Sequence, residues 1–574
     1  DRFVKKKNEV SFPLNSIKAC LRKTKLEPKD IHYFGIVNDK DSLKSKNSIL
    51  NFLFKRQSRY SVSDWKKENE LYWKPKLLEN KKISSFFKSM GGKKKIAKDH
   101  HIETKYYDDN KNFNKLKKDF FEKKIKFIKK LGFKENAIVF IPHYITHHYH
   151  AFYSSPNRHY KDAIIIHCEG DGGKYNHAIS KPSEKSGIKF LSGTNKFNLG
   201  RLYQWTTLNL NMLPYHDEYK VMGLAPYSKI DKKNPLYLKF SEHFSLNKKK
   251  FLIEFKKKPK DLYFEFRKLI INHRFDKVAA ILQDFLETKL TELFSYIYKK
   301  KKIKNFYYGG GVAMNVKANL AINKKLPNIN SFFVPLSPAD ETNVFGANYY
   351  LMEKFFIRNG TSLRNIKSLN SVYLGNSYNF NEKKYKKNKN YKIEKVNHKK
   401  IAELLASGKI IGRFTGRAEF GQRALGNRSI LASISYPNIV DKINQKIKSR
   451  DFWMPFALTI LDTEKKFFYK NSFINPFYMT SCFDLKKKYK RNFINVIHPA
   501  DQTARPQILK KFNNSSYYDL IMKVKKTSGI GAVLNTSFNV HGKTIVESPN
   551  DAIKVLKETN LDGLIVNDFF VQKK

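Results

Sequence analysis

Two histidines stand four residues apart in the run HYITHHYH. If this run is helical, His143 and His147 project from one face of the helix and can reach the same metal ion. A third, anionic ligand is needed, and we assign it to Asp340 in SPADETNVFG. His148 and His150 offer other pairings, and the alternative is a set of polar or capping histidines at a helix start.

A triple glycine separates an apolar strand from a helix. Gly309, Gly310 and Gly311 follow NFYY and precede a helical segment containing Asn315. Glycine lets backbone N–H groups approach a phosphate or an adenosine closely, and a helix N-terminus favours an anion. The segment matches neither the P-loop nor the dinucleotide-binding fingerprint. A tight strand-to-helix turn without a ligand is therefore the alternative.

Arginine is rare in this chain and unevenly placed. Only 17 of the 111 basic residues are arginine, and seven of these lie between Arg413 and Arg505. A planar guanidinium binds phosphate oxygens with two parallel hydrogen bonds, which an ammonium cannot do. The pattern predicts a site for a polyanionic small ligand, such as a triphosphate or an acyl phosphate, whereas the alternative is a structural salt-bridge cluster. The polar residues that we group there are Arg417, Arg423, Arg428, Lys448, Arg450, Arg505, Asn535 and Ser537.

The overall composition excludes an intrinsically disordered protein. The chain has 574 residues, of which 41% are hydrophobic and 14% aromatic, enough to bury large cores. The net charge of +60 would suit nucleic acid, but lysine is spread through every segment rather than gathered in one stripe. We therefore attribute the charge to general composition and expect no nucleic-acid partner.

The cysteines and the hydropathy pattern bear on location. Three widely separated cysteines form no disulfide framework, which favours a reducing, cytoplasmic setting. No run of about 18 apolar residues predicts a membrane span, and no signal peptide is visible. The sequence opens on DRFVKKK without a methionine, so we expect further residues to precede it.

The segments that must position these residues alternate between strands and helices. Strands are predicted in IVFI ahead of the histidines, in DAIIIHC and in NFYY ahead of the glycines, and an amphipathic helix is predicted over 278–298. This alternation is typical of an α/β fold. A polar, low-complexity stretch near 374–400 predicts a boundary between two domains, 1–375 and 376–574. The Lys- and Phe-rich stretch 229–262 is interpreted as an insertion or a surface subdomain.

These motifs together resemble a known family. GRAEFGQRALGNRSIL, KSRDFWMPFA, TARPQ and LNTSFNVHGKTIVESPNDA are similar to the C-terminal half of the NodU/CmcH-type O-carbamoyltransferases. HYITH, EGDGG, DEYKVMGLAPY, GGGVAMNVKAN and PADETNVFGA are similar to their N-terminal half, in the same order. The resemblance spans nearly the whole chain. It implies that a first β-hairpin, including a His-bearing loop near the metal, would precede DRFVKKK and is missing.

The resemblance implies an N-terminal, duplicated actin-like ATPase (ASKHA) fold and a C-terminal YrdC-like mixed α/β domain. The second domain would convert carbamoyl phosphate and ATP into carbamoyl-adenylate, releasing phosphate and pyrophosphate. The first would bind that adenylate beside a divalent metal, iron or alternatively magnesium. It would then pass the carbamoyl group to a hydroxyl of a sugar, glycan or natural product, leaving AMP. A homodimer is compatible with this interpretation.

The resemblance also assigns roles to individual residues. The metal ligands would be His143, His147 and Asp340. The adenylate-binding loop would contain Gly310, Gly311 and Asn315. The motifs around carbamoyl phosphate and ATP contain Arg423, Arg428, Lys448, Arg450, Arg505, Asn535 and Ser537. We expect catalysis to depend on His147, Arg423, Arg428, Arg505 and Asn535, and we favour Arg423 and Arg428 over Arg417.

Two other functions stay open from the sequence. Both domain types also serve tRNA threonylcarbamoylation, although the fused order and the intact RALGNRS and LNTSFN motifs argue against that function. A non-catalytic binding protein with an actin-like fold is the second alternative. The chain departs from the family pattern at Glu169, where aspartate is expected, and at Thr342, where glycine is usual.

Overall fold

The fold is mixed α/β, as predicted, with strands and helices alternating along the chain. It is seen in a computed structural model that describes residue 5 and residues 12–37, 61–80, 112–326, 328–386, 390–469 and 477–574. The hairpin that the resemblance implies ahead of DRFVKKK lies outside the described residues. Within the described ranges, no helix is both long and apolar enough to cross a membrane.

The described residues of the N-terminal part form nine strands. They are β1 (Phe34–Val37), β2 (Ile138–Ile141), β3 (Ala163–Cys168), β4 (His177–Ser183), β5 (Gly187–Thr194), β6 (Phe244–Asn247), β7 (Leu252–Phe255), β8 (Asn305–Gly309) and β9 (Ser331–Phe333). Five of them form one mixed sheet in the order β5-β4-β3-β8-β9, in which β3, β8 and β9 run parallel. Every residue of β3 is buried, because helices cover both faces of the sheet there.

Twelve helices accompany these strands within the same described ranges. They are α1 (Leu14–Thr24), α2 (Val62–Glu68), α3 (Lys74–Leu78), α4 (Phe113–Lys130), α5 (His143–Tyr153), α6 (Leu199–Asn209), α7 (Glu218–Leu224), α8 (Pro235–His243), α9 (Leu262–Ile271), α10 (Phe275–Lys301), α11 (Val316–Lys325) and α12 (Asn343–Arg358). The helix predicted over 278–298 is confirmed as α10, whose apolar face packs into the main core of this part.

The C-terminal part is built on an eight-stranded mixed sheet. Its strands and two short extra ones are β10 (Tyr391–Lys395), β11 (Ile411–Phe414), β12 (Arg428–Ala432), β13 (Ala457–Leu461), β14 (Phe483–Asp484), β15 (Thr503–Ala504), β16 (Pro506–Leu509), β17 (Ala532–Ser537), β18 (Gly563–Val566) and β19 (Phe569–Lys573). The order in the sheet is β10-β19-β18-β11-β12-β17-β13-β16. The helices are α13 (Glu382–Lys386), α14 (His398–Ala406), α15 (Ile439–Ile443), α16 (Ser515–Ser528) and α17 (Pro549–Glu558).

The two parts share an apolar cluster and several polar contacts. Tyr149 and Tyr307 belong to the same buried cluster as Leu425. His498 Nε2 lies 2.7 Å from the Gly223 carbonyl oxygen. Because these contacts are buried, they hold the C-terminal sheet against the N-terminal part.

The stretch 229–262 differs from its interpretation as an insertion or a surface subdomain. Many of its apolar residues, among them Tyr237, Phe240, Phe244 and Ile253, are buried in the main N-terminal core. Phe240 packs edge to face on Phe266 at 4.9 Å between ring centroids. The lysines of this stretch lie on the outer face. Because lysine is so abundant there, the sequence suggested a surface segment.

Gly346 sets how closely α12 approaches α5. A Cβ at this position would collide with the carbonyl oxygen of Thr146 in α5. We expect Gly346→Ala to lower the free energy of unfolding by about 1–3 kcal/mol, because the two helices must separate. Urea unfolding followed by circular dichroism measures this. Met352→Ala, on the solvent side of the same helix, should change stability by less than about 0.5 kcal/mol, and equal effects would contradict the packing argument.

Candidate functional site

Helix α5 carries the predicted histidine pair. It begins at His143 directly after Pro142, and proline at this point sets the backbone for helix entry without a lost hydrogen bond. His147 follows one turn later and is almost fully buried. The prediction of a short strand leading into a histidine helix is confirmed by β2 and α5.

The two imidazoles converge with a carboxylate from a distant loop. His143 Nε2 and His147 Nε2 lie 3.0 Å apart. Asp340 Oδ1 lies 3.1 Å from His143 Nε2 and 3.4 Å from His147 Nε2. The structure therefore brings together the three residues that the sequence assigned to the metal.

Glu169 is a fourth member that the site prediction missed. Its Oε2 lies 3.5 Å from His147 Nε2 and accepts a hydrogen bond from Gly311 N–H at 2.6 Å. The donor atoms of His143, His147, Glu169 and Asp340 all lie within 4.8 Å of one another, and we call these four residues the histidine–carboxylate cluster. The signal in the sequence was its position directly after the buried strand β3.

Electrostatics within the cluster couple its members. Burial and the charge of Asp340 raise the pKa of Glu169 to about 8. Burial alone would lower the pKa of His143, but the nearby Asp340 outweighs it, and the net result is a raised pKa. Burial lowers the pKa of His147, which favours the neutral imidazole that binds metals.

The donor set fits a divalent transition metal. Two imidazole nitrogens with a carboxylate suit Fe²⁺, whereas Mg²⁺ prefers oxygen ligands and bound water. His147 is 1% exposed and forms the floor of the cluster, whereas the Asp340 side chain is 69% exposed and faces solvent. The cluster is therefore open on one side, as in metal sites that leave a position for substrate.

The glycine turn packs against this cluster. Gly310 has a φ of +92°, and a Cβ there would collide with the Cys168 carbonyl oxygen, so only glycine fits. Gly311 approaches Glu169 closely, since its N–H donates to that carboxylate. Asn315 caps α11 by accepting from Ala318 N–H at 2.9 Å.

Three of the predicted arginines influence one another electrostatically and form no salt bridge within the described ranges. The pKa of Arg423 is lowered to about 9, mainly by the positive charge of Arg505 and further by burial and by Arg450. The pKa of Arg450 is lowered to about 10, mainly by burial and further by the charge of Arg505. In the described part of the chain, none of the three forms a salt bridge with a carboxylate. We call Arg423, Arg450 and Arg505 the arginine cluster.

The arginine cluster lies next to the histidine–carboxylate cluster. Gln422 N–H donates to Ser337 Oγ at 3.2 Å, which ties the loop of Arg423 to the loop of Asp340. Glu341, directly after Asp340, is close enough to Arg423 for each charge to affect the pKa of the other group. A phosphate held by the arginines would therefore lie near the carboxylates.

Other predicted residues of the C-terminal part bond to the protein itself. Lys448 Nζ donates to the Ser537 carbonyl oxygen at 2.5 Å and to Asn539 Oδ1 at 2.6 Å. Asn535 is buried and its amide donates to the Ala424 carbonyl oxygen at 3.0 Å. These residues shape the walls around the arginine cluster.

Arg428 and Arg417 are also held by backbone carbonyl groups. Arg428 is fully buried, donates to the Thr415 carbonyl oxygen at 3.0 Å and stacks on Phe414 at 3.6 Å. Arg417 donates to the Gly375 carbonyl oxygen at 2.9 Å. The structure does not place Arg428 in the arginine cluster, and its predicted catalytic role stays a prediction.

The histidine–carboxylate cluster can be tested by metal content. If these residues hold the metal as predicted, His143→Ala and Asp340→Ala should weaken Fe²⁺ binding at least about 100-fold, because each would remove a ligand. Anaerobic equilibrium dialysis followed by mass spectrometry of bound iron measures this. His159→Ala, an exposed histidine outside the cluster, should bind iron like the unaltered protein. Equal iron binding by all variants would show that these residues are not ligands.

Comparison with known proteins agrees with the motifs. A family model described as carbamoyltransferase N-terminus matches residues 1–349, and one described as carbamoyltransferase C-terminus matches residues 402–573. The nodulation protein NolO of Bradyrhizobium diazoefficiens is 29% identical over 75% of this chain and 78% of its own length.

Two further relatives are similar over most of the chain. The nodulation protein NolNO of Sinorhizobium fredii is 29% identical over 76% of this chain and 64% of its own length. The uncharacterized protein MJ1058 of Methanocaldococcus jannaschii is 30% identical over 81% of this chain and 78% of its own length. Because the two family models together span both parts, the chain belongs to the carbamoyltransferase family and is a transferase.

Proposed function

We propose that this protein is an ATP-dependent O-carbamoyltransferase that works through carbamoyl-adenylate. The observation that carries the proposal is the hydrogen bond between the loops that bear the two clusters. Gln422 N–H, next to Arg423, donates to Ser337 Oγ, three residues before Asp340. One cluster suits phosphate groups and the other suits a metal and a reacting carbonyl group, so two linked steps can occur side by side.

The first step would take place at the arginine cluster. Water cleaves carbamoyl phosphate into carbamate and phosphate, and a carbamate oxygen then attacks the α-phosphorus of ATP. Pyrophosphate leaves, and carbamoyl-adenylate remains. Guanidiniums of Arg423, Arg450 and Arg505 would hold the phosphate oxygens and stabilise the charge that develops on the leaving group. Their lowered pKa values reflect mutual repulsion and burial that a bound polyanion would relieve.

The second step would take place at the histidine–carboxylate cluster. An acceptor hydroxyl oxygen attacks the carbamoyl carbon, the bond to AMP breaks, and the hydroxyl proton is lost. A divalent metal held by His143, His147 and Asp340 would supply polarisation of the carbamoyl carbonyl group. We propose Glu169 as the proton acceptor, because His147 Nε2 would be occupied by the metal. Glu169 Oε2 belongs to the same cluster and lies 3.5 Å from His147 Nε2.

The glycine turn would hold the adenylate after it forms and before the carbamoyl group is transferred. Gly310 has no side chain, so the backbone of the turn can pass close to Cys168. Helix α11 starts after Asn315, and its N-terminus points toward this turn. Lys448, Ser537 and Asn535 would act by holding the segments around the arginine cluster in place. Carbamoyl phosphate, ATP and a hydroxyl-bearing acceptor are the proposed substrates, and the homodimer and the cytoplasmic location stay predictions.

We also propose the two domain folds expected from the resemblance, with the boundary at residues 375 and 376. The mixed sheet β5-β4-β3-β8-β9 would represent one half of the actin-like ATPase domain. The eight-stranded sheet β10-β19-β18-β11-β12-β17-β13-β16 would represent the YrdC-like domain. The separate buried cores of the two parts support this division.

The first step can be tested without any acceptor. With carbamoyl phosphate and ATP, and with neither threonine nor bicarbonate, we expect the protein to release pyrophosphate and form carbamoyl-adenylate. Arg505→Ala should lower the rate about 10²–10³-fold, because one donor to the transition state is lost. A coupled pyrophosphate assay measures the rate. Arg491→Ala, an exposed arginine outside the cluster, is the matched control and should keep full activity; an equally active Arg505→Ala would refute the role of the cluster.

A variant of the histidine–carboxylate cluster should lose the second step and keep the first. We expect His143→Ala to release pyrophosphate at a rate within about twofold of the unaltered protein, because the arginine cluster is intact. The same variant should transfer carbamoyl to acceptors from a cell extract at least about 100-fold more slowly. Mass spectrometry of extracts given labelled carbamoyl phosphate measures the transfer. Loss of both steps together would contradict the assignment of separate sites.

A further inference from the structure

A cavity of about 260 Å³ lies beside α6 and is used by neither proposed step. Three of the four tryptophans of the chain, Trp65, Trp73 and Trp205, line it together with Tyr215. The rings of Trp65 and Trp205 meet edge to face at 5.9 Å, and the Tyr215 ring lies 6.0 Å from that of Trp65. Aromatic walls of this kind offer a flat surface to the apolar face of a ligand.

Two buried amide side chains line the same cavity. Asn69 is 1% exposed and Gln204 is 5% exposed. Within the described residues, Asn69 Oδ1 and Gln204 Nε2 have no hydrogen-bond partner, although buried amides nearly always have one. The last torsion of an amide side chain is broad, so either group can turn toward a ligand in the cavity. One accepts and the other donates, which matches a hydroxyl group.

The cavity is joined to the histidine–carboxylate cluster by Arg201. This residue lines the cavity, and its Nε donates to the Gly170 carbonyl oxygen at 3.2 Å. Its Nη2 donates to Asp171 Oδ2 at 2.6 Å. Gly170 directly follows Glu169 of the cluster, and a Cβ on Gly200 at the start of α6 would lie 2.8 Å from the Gly170 backbone. A ligand at the Arg201 side therefore lies against the loop that carries Glu169.

We propose that this cavity binds one uncharged pyranose ring of the carbamoyl acceptor, with its apolar face on the tryptophans and its hydroxyls on Asn69 and Gln204. A pyranose combines an apolar face with hydroxyls that both donate and accept. The volume lies below the roughly 300–1,000 Å³ typical of pockets for drug-sized ligands, so a single sugar ring fits. Besides the two amides, the buried Glu68 carboxylate lines the cavity, and its Oε1 accepts from Trp73 Nε1 at 2.8 Å. This carboxylate disfavours an anionic ring and can accept from a sugar hydroxyl. The inference rests on the proposed carbamoyl transfer.

Tryptophan fluorescence provides the test, because three of the four tryptophans line the cavity. The full chain is titrated with the methyl pyranosides of glucose, galactose, mannose and N-acetylglucosamine. We expect at least one of them to change the fluorescence saturably. Tyr215→Ala, which removes a 41% exposed ring, and Gln204→Met, which removes the amide, should each weaken binding about tenfold. Tyr469→Ala removes a 49% exposed ring in the C-terminal part and should bind like the unaltered protein.

Two results would overturn the proposal. One is the absence of a saturable change with all four glycosides at millimolar concentrations. The other is equal binding by the unaltered protein, Tyr215→Ala and Gln204→Met, which would place the sugar elsewhere. Pyrophosphate release from carbamoyl phosphate and ATP is measured in parallel and should stay within about twofold in both variants. Release without glycoside binding refutes the sugar site alone, whereas binding without release refutes the carbamoyl-adenylate function.

Discussion

The position of helix α5 is the constraint on which the candidate site depends. This helix carries His143 and His147, and it is pressed between two glycines. A Cβ at Gly309 of β8 would lie 3.0 Å from the His147 carbonyl oxygen, and one at Gly346 of α12 would collide with Thr146. Side chains at either glycine would push α5 outward and take His147 away from Glu169. Close backbone packing therefore sets the distances among the four donor atoms.

The two clusters carry opposite kinds of charge, and the loops that bear them are joined by a hydrogen bond between the two parts of the chain. The arginine cluster belongs to the C-terminal part, whereas the carboxylates of Glu169 and Asp340 belong to the N-terminal part. Glu341 directly follows Asp340, and its pKa is raised to about 7 by burial, with Asp340 adding to it; Arg423 is among the charges that affect it. In the proposed mechanism, an anionic intermediate bound at the arginines would lie near the loop that carries Asp340, because Gln422 N–H donates to Ser337 Oγ.

The placement of arginine shows how far residue types alone can predict a ligand-binding site. The sequence singled out the C-terminal part because arginine replaces lysine there. Burial then divides these arginines into two groups. Arg413 and Arg428 donate to backbone carbonyl groups and stack on aromatic rings. Arg423 and Arg505 instead form no salt bridge among the described residues, and the charge of Arg505 lowers the pKa of Arg423. A guanidinium suits both roles, so its presence in a motif could not distinguish them.

The sequence by itself determined the α/β class, the histidine helix, the strand before the glycine turn and the family, because these follow from local periodicity and from contiguous motifs. It also identified Asp340 as a partner of the histidines. Only the tertiary structure decided that Glu169 joins them, that the stretch 229–262 belongs to the core, and that tryptophans far apart in the chain line one cavity. These features depend on contacts between segments separated by many residues, and local patterns do not encode which distant segments will pack together.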